Sequence, residues 1–259
     1  MSLTKPQLEA IFVQSMMMVK EFHEVFGHPV GLKASSSLSE TRAVERGAYL
    51  FEELQEGLTA AIGKQKVKVV DAFADAVYFT CGNLIECGFP PHKANEILFN
   101  LVGDNESALL SFANMKEESE GYGWSRYARN VFVGSLSEVS TQLLEHLGGA
   151  DQEADIPVEN FSVEMAFAFL SIMSECLEVD PLAVMVEVHR SNMSKLLPAE
   201  LPDEDACRFF MAANGCPLPA IELKFERLDD GRWIAKNIST NKVVKNPLYS
   251  EADLASLVA

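Results

Sequence analysis

The stretch VVDAFADAVYF, residues 69–79, decides the fold: nine of its eleven residues are apolar, and the other two are Asp71 and Asp75. Residues four apart share one face of a helix, so the segment reads as a helix buried around most of its circumference, with both carboxylates on one line. Tyr78 and Gly82 continue that line. A carboxylate set among Val, Ala and Phe is costly unless it is paired, hydrated or metal-bound.

The preceding helix carries Glu52-Glu53-Leu54-Gln55-Glu56. Glu53 and Glu56 are three apart and Glu52 and Glu56 four apart, so all three reach one region. An EExxE run by itself is usually a solvated helix face. Here the connection at 63–66 is short and stacks the two helices antiparallel, which points five carboxylates, Glu52, Glu53, Glu56, Asp71 and Asp75, into one cleft. Like charges at that density require cations, and an oxygen-only donor set without His or Cys favours Mg²⁺ or Mn²⁺ over zinc.

Outward from this pair, the pattern predicts helices over 4–26, 39–62, 66–87, from the prolines at 90–91 to about 102, and over 105–118, 124–147, 159–178 and 181–196. Thr4 and Ser39 are the expected caps. Strand signals appear only at ELKFERLDDGRWIAKNI, 222–238, a hairpin turning at Asp230-Gly231. The fold class is all-α with a small irregular or β C-terminal extension.

The 259 residues are 48% hydrophobic with a formal net charge of −17. So acidic a surface repels phosphate backbones and excludes a nucleic-acid polymer as a bulk partner. Five cysteines without a CxxC pair suit free thiols in a reducing compartment. The N-terminus lacks the pattern of a signal peptide, and no stretch has the length and apolarity of a membrane span, so the expected location is cytoplasmic, away from membranes. Met16-Met17-Met18 reads as packing, His189 as structural, and His23 and His28 have no metal-ligand company.

The chain also repeats itself. Pro90–Ile97 aligns with Pro181–Val188, and the same offset lays Asp71 on Ser162 and Asp75 on Ala166. FEELQEGL (51–58) lies on LSEVSTQL (136–143), where Glu53 meets Glu138 but Glu52 and Glu56 meet Ser137 and Thr141. The second half keeps the apolar pattern and loses the acids. This gives expected units of 1–118, 119–200 and 201–259.

Several blocks resemble the all-α nucleoside triphosphate pyrophosphohydrolases, the MazG-like and phosphoribosyl-ATP pyrophosphohydrolase-like superfamily. They are VKEFHEVFGHPV (19–30), RGAYLFEELQE (46–56), DAFADAVYFTCGNLIECG (71–88), EVHRSNMSKL (187–196) and NKVVKNPLYSEADL (241–254). The resemblance implies a helical bundle and hydrolysis of a nucleoside or deoxynucleoside triphosphate between its α and β phosphates, with Mg²⁺ as cofactor. It implies Glu53, Glu56 and Asp71 as metal ligands, Asp75 as a further ligand or nucleotide contact, and Glu52 as the residue that orients or deprotonates the attacking water. Lys68 stands where the family often has a Glu. Arg46, Lys68, Tyr78, Asn192, Lys195 and Lys245 are the expected substrate contacts, with Lys242 beside them on the tail. The extra length is explained by two fused units, one chain mimicking the usual dimer, with a homodimer of tandem units as the wider assembly. A phosphoribosyl-ATP substrate, or a catalytically decayed nucleotide-binding or assembly protein, are the alternatives.

Overall fold

Helix α3 (Lys66–Glu86) answers the question its sequence poses: it is packed by α1 (Lys5–Phe26), α2 (Glu40–Ile62), α5 (Glu159–Glu175) and α6 (Pro181–Met193). Fourteen of its residues are buried, from Val69 to Ile85. A helix enclosed on that many sides must be apolar nearly all round. In this computed structural model the described residues are 3–31, 35, 37–94, 96–97, 121, 123–147 and 156–258. They contain seven α-helices, completed by α4 (Trp124–Leu147) and α7 (Glu204–Ala213).

The chain is mostly helical, as its periodicity predicts. Thr4 and Gln7 form a capping box on α1, which ends at Gly27 with φ 69°. Ser39 occupies the cap position of α2 but makes no capping hydrogen bond. Asp180 caps α6 by accepting from the amides of Leu182 and Ala183. After Pro90 the chain makes a 3₁₀ turn, Pro91–Lys93. Ala94, Glu96 and Ile97 are helical, as expected; residues 98–102 of that helix, and the one at 105–118, fall outside the described residues.

One hydrophobic core runs from Leu8 to Leu254 and takes in all six helices from α1 to α6. Moved along by the offset that joins Glu53 to Glu138, α2 covers nearly the span of α4; moved by the offset that joins Asp71 to Ser162, α3 covers that of α5. In space α2 packs on α4 and α3 on α5, so each first-half helix lies against its counterpart. Two-residue strands β1 (Ser37–Leu38) and β2 (Ile156–Pro157) also pair across the halves.

The C-terminal extension holds the expected hairpin, β3 (Leu223–Arg227) against β4 (Trp233–Asn237), with Gly231 at φ 89° in the turn. It also holds α7, which the sequence reading left unassigned. Its signals were present in the sequence: Asp203 caps the helix at Ala206, and Cys207 and Met211, four apart on one face, seal it onto Leu223, Phe225 and Trp233. Phe26, Leu196 and Ile234 fasten this extension to the bundle.

Gly57 sets the approach of α2 to α4. A Cβ there would lie 2.3 Å from the Phe132 ring and 2.9 Å from the Ala72 Cβ. Helix propensity alone would make Gly57→Ala stabilising by about 1 kcal/mol. We expect the opposite sign, a loss of about 1–3 kcal/mol from overpacking, read by urea denaturation and recovered in part by adding Phe132→Leu.

Candidate active site

Helices α1, α2, α3 and α6 and the C-terminal segment wall a cleft of about 1050 Å³. Its acidic end is built by α2 and α3 running antiparallel, as their short connection requires. Glu53, Asp71 and Asp75 line it, whereas Glu52 and Glu56 are exposed and stand outside the lining. Their charges still act there. Burial pushes the Glu53 carboxyl up to about 7, helped by Glu56, Glu52 and Asp71. Burial pushes Asp75 up to about 8, with Asp71 and Glu53 adding repulsion. Asp71 is raised by burial, then by Glu56 and Glu251.

Among the described residues, no three acidic, His or Cys side chains stand close enough together to hold an ion as placed. Mutual repulsion gives bare carboxylates reason to splay. The donor chemistry nevertheless fits a hard divalent cation: oxygen ligands alone, several on adjacent turns and partly desolvated, with Lys195 and Lys245 offsetting only part of their charge.

Cations line the same cleft. Lys68 is exposed on the first turn of α3, three residues before Asp71, and Lys242 and Lys245 come from the tail. Lys195, just past α6, is lowered by burial and by Lys245, while Asp75 and Glu53 pull it back up. Its ammonium donates to the Asn192 side-chain oxygen and lies 5.8 Å from the Phe22 ring centroid. Tyr78, one turn beyond Asp75, hydrogen-bonds His189 Nδ1 at 2.9 Å and is also bonded by Asn192. His189 Nε2 donates to Glu21 at 3.3 Å.

Arg46 lines the cleft but is turned away from the acids. It is buried and donates to Glu86 at 2.7 Å, to the Phe79 carbonyl at 2.7 Å and to Asn83. Arg42 adds two bonds of 2.7 Å to the same Glu86. Burial alone would raise the Glu86 carboxyl; the bonds from Arg42 and the charges of both arginines hold it below the usual range. Gly82 is required here, because a Cβ would meet the Arg46 guanidinium at 2.1 Å.

Residues 197–240, to which the sequence reading gave no role, carry the chain back to the cleft. The segment that follows is stitched onto α6: Asn246 donates to the carbonyls of Lys195 and Leu196, Ser250 N to Ser194 Oγ, and Asp253 N to Glu187. Thr240, Asn241, Tyr249 and Glu251 thereby line the cleft, along with Phe22, Tyr49 and Phe79 from the bundle. Sequence reasoning missed these. Tyr49 was findable, one turn before Glu53 on the same helix face; the tail residues carry no such local signal.

Residues 19–99 match the phosphoribosyl-ATP pyrophosphohydrolase family. That span contains all five acids, Arg46, Lys68 and Tyr78, but neither α6 nor the tail. An uncharacterised protein, L479 of Acanthamoeba polyphaga mimivirus, is 21% identical over 256 residues, covering 93% of this chain and 94% of its own. No solved structure matches. Among the described residues, no helix is long and apolar enough to cross a membrane.

Two outcomes follow from the charges. Glu86→Gln leaves two arginines beside a neutral partner, one of them buried, and should cost about 3–5 kcal/mol in urea denaturation. In protein free of divalent ions, Glu53 and Asp75 keep protons in the folded state at pH values where the unfolded chain has lost them. Stability from these acids is therefore present at low pH and lost as pH rises through about 7 to 8. His23 and His28, both lowered by burial to about 4, act in the opposite sense, but only below their ordinary 6.5. Between pH 6.5 and about 8.5 the melting temperature should fall, and Asp75→Asn should flatten that fall.

Proposed function

Proceeding from a phosphoribosyl-ATP pyrophosphohydrolase family domain at residues 19–99, which supports pyrophosphohydrolase-type chemistry on a nucleotide, we propose that this protein is a Mg²⁺-dependent nucleoside triphosphate pyrophosphohydrolase. It cleaves between the α and β phosphates and releases a nucleoside or deoxynucleoside monophosphate and pyrophosphate, an activity suited to clearing the nucleotide pool. The observation that carries the reading is the cleft that Glu53, Asp71 and Asp75 line together with Lys68, Lys195 and Lys245. Acids alone would repel a triphosphate. Acids that hold divalent ions, opposed by lysines, form a polyphosphate site.

Glu53, Glu56, Asp71 and Asp75 would hold the Mg²⁺ ions, which when bound supply charge neutralisation and an acidified water. The lysines bind the phosphate oxygens as point charges, and Lys68 takes up part of the role of the acid that the family often has at that position. Tyr78 and Asn192, tied together, pack beside the sugar. Water adds to the α-phosphorus, the bond to the bridging oxygen breaks, and pyrophosphate leaves with the electron pair. Glu52, at the rim beside Glu53, takes the proton from the water. Arg46 serves by fixing α2 to α3 through Glu86 rather than by touching substrate.

The family's name makes phosphoribosyl-ATP the second substrate to test. We rank it lower because the SNMSK and KVVKNPLY blocks resemble the stand-alone branch. We further propose that α4 and α5 occupy the places a second subunit's helices would fill, supplying packing without acids.

A panel of nucleoside and deoxynucleoside triphosphates and phosphoribosyl-ATP, with Mg²⁺, should give pyrophosphate and monophosphate from at least one. Glu53→Gln should lower that turnover by more than about 100-fold with the helical circular dichroism unchanged. An unchanged rate in that variant would remove the site. Lys195→Met should raise KM about tenfold or more, by loss of a charge-assisted bond.

A further inference from the structure

The cleft is longer than a polyphosphate site needs, and its far end differs in character. On α2 the lining residues run Glu53, Tyr49, Arg46, Glu45 and Arg42, over about 16 Å of helix. Glu53, Asp71 and Asp75 stand at one end, while Glu45 at the other is paired with Arg42 at 2.9 Å. At the other, the last turn of α1 and its C-terminal loop bring Phe22 and His28 into the wall. His28 stacks on Phe22 with centroids 5.4 Å apart and planes at 20°. Tyr49 and Phe79 form a second stacked pair, 5.9 Å apart at 24°. Lys195 sits over the Phe22 ring and marks the boundary between the charged and the aromatic ends.

Two imidazoles lie at this end with different duties. His23 is buried and donates from Nδ1 to the Pro29 carbonyl at 2.8 Å, so it holds the loop. The His28 amide donates to the His23 carbonyl at 2.8 Å, but its imidazole makes no hydrogen bond among the described residues and is only half-buried in the cleft wall. A neutral imidazole offers one donor and one acceptor. It stays neutral here because burial and the charges of Arg46 and Arg42 disfavour its protonation. The nearby arginines are themselves occupied by Glu86, and the ammonium that reaches this end, Lys242, lies over an aromatic face, 5.3 Å from the Tyr49 ring centroid.

We propose that this aromatic end receives the heterocyclic base of the nucleotide, lying between the Phe22–His28 and Tyr49–Phe79 pairs, and that His28 is the residue that reads its hydrogen-bonding edge. The polarity of the cleft then matches that of a nucleotide: polyanion at the acids, sugar beside Tyr78, an uncharged planar ring at the imidazole. The inference rests on the nucleotide reading above and specifies which residues discriminate within it.

The test compares wild type, His28→Ala and His28→Gln on two readouts. One is kcat/KM across nucleotides differing only in base. The other is calorimetric binding of a nucleotide with a non-hydrolysable α,β linkage against inorganic tripolyphosphate, both with Mg²⁺. His28→Ala should lower kcat/KM for the preferred base by about tenfold, mainly through KM, and narrow the spread among bases. His28→Gln, which keeps a donor and an acceptor, should restore part of the preference, and tripolyphosphate binding should not change in either variant. An unchanged base spectrum in His28→Ala overturns the inference and leaves the function standing. A wild type that binds nucleotides base-dependently through His28 but hydrolyses none overturns the function and leaves the inference standing. Equal losses for nucleotide and tripolyphosphate also overturn it, since they mark His28 as structural.

Discussion

Everything in this structure hangs on α3 being enclosed by four other helices while two of its residues remain carboxylates. Enclosure makes α3 apolar; Asp71 and Asp75 line an opening in that enclosure, the large cleft. That opening is narrow enough to desolvate the acids, which is why their proton affinities rise, and open enough to admit a ligand. The same enclosure that stabilises the bundle therefore creates the electrostatic demand for cations.

Two devices keep the opening in shape. On the inner side, Arg42 and Arg46 of α2 grip Glu86 at the end of α3, so the two acid-bearing helices are pinned at the end away from their turn. Gly57 and Gly82 permit the close approaches this needs. On the outer side, the C-terminal segment returns from the hairpin and is stitched to α6, carrying Lys245 towards Asp71 and Lys242 over the Tyr49 ring. A buried ion pair is poor evidence of stability in general; here its geometric role, fixing the register of two helices, is the better account.

Much of this was legible in the sequence because it is local. Helix spans, the hairpin turn and the pairing of the EExxE and DxxxD faces all follow from spacing within one or two elements. The span of α4, 124–147, and the 66–86 helix are set by periodicity alone. What could not be read is non-local. Arg46 looked free to meet a phosphate because its partner Glu86 lies forty residues on. His28 and Phe22 look unremarkable in a Gly/Pro loop and its helix until the fold sets them across from Tyr49 and Phe79. The tail's place at the cleft depends on hydrogen bonds to α6 that no spacing encodes.

The central claim is that the carboxylates of α2 and α3 are held together by divalent ions that bridge them to a polyphosphate. The most direct measurement is a crystal structure grown with Mg²⁺ and a nucleoside triphosphate carrying a non-hydrolysable α,β linkage. The account predicts Mg²⁺ coordinated by Glu53, Glu56, Asp71 and Asp75 and by the phosphates, with Lys195 and Lys245 on the opposite side. Nucleotide absent from the cleft, or acids left unliganded and facing solvent while nucleotide binds elsewhere, would contradict it.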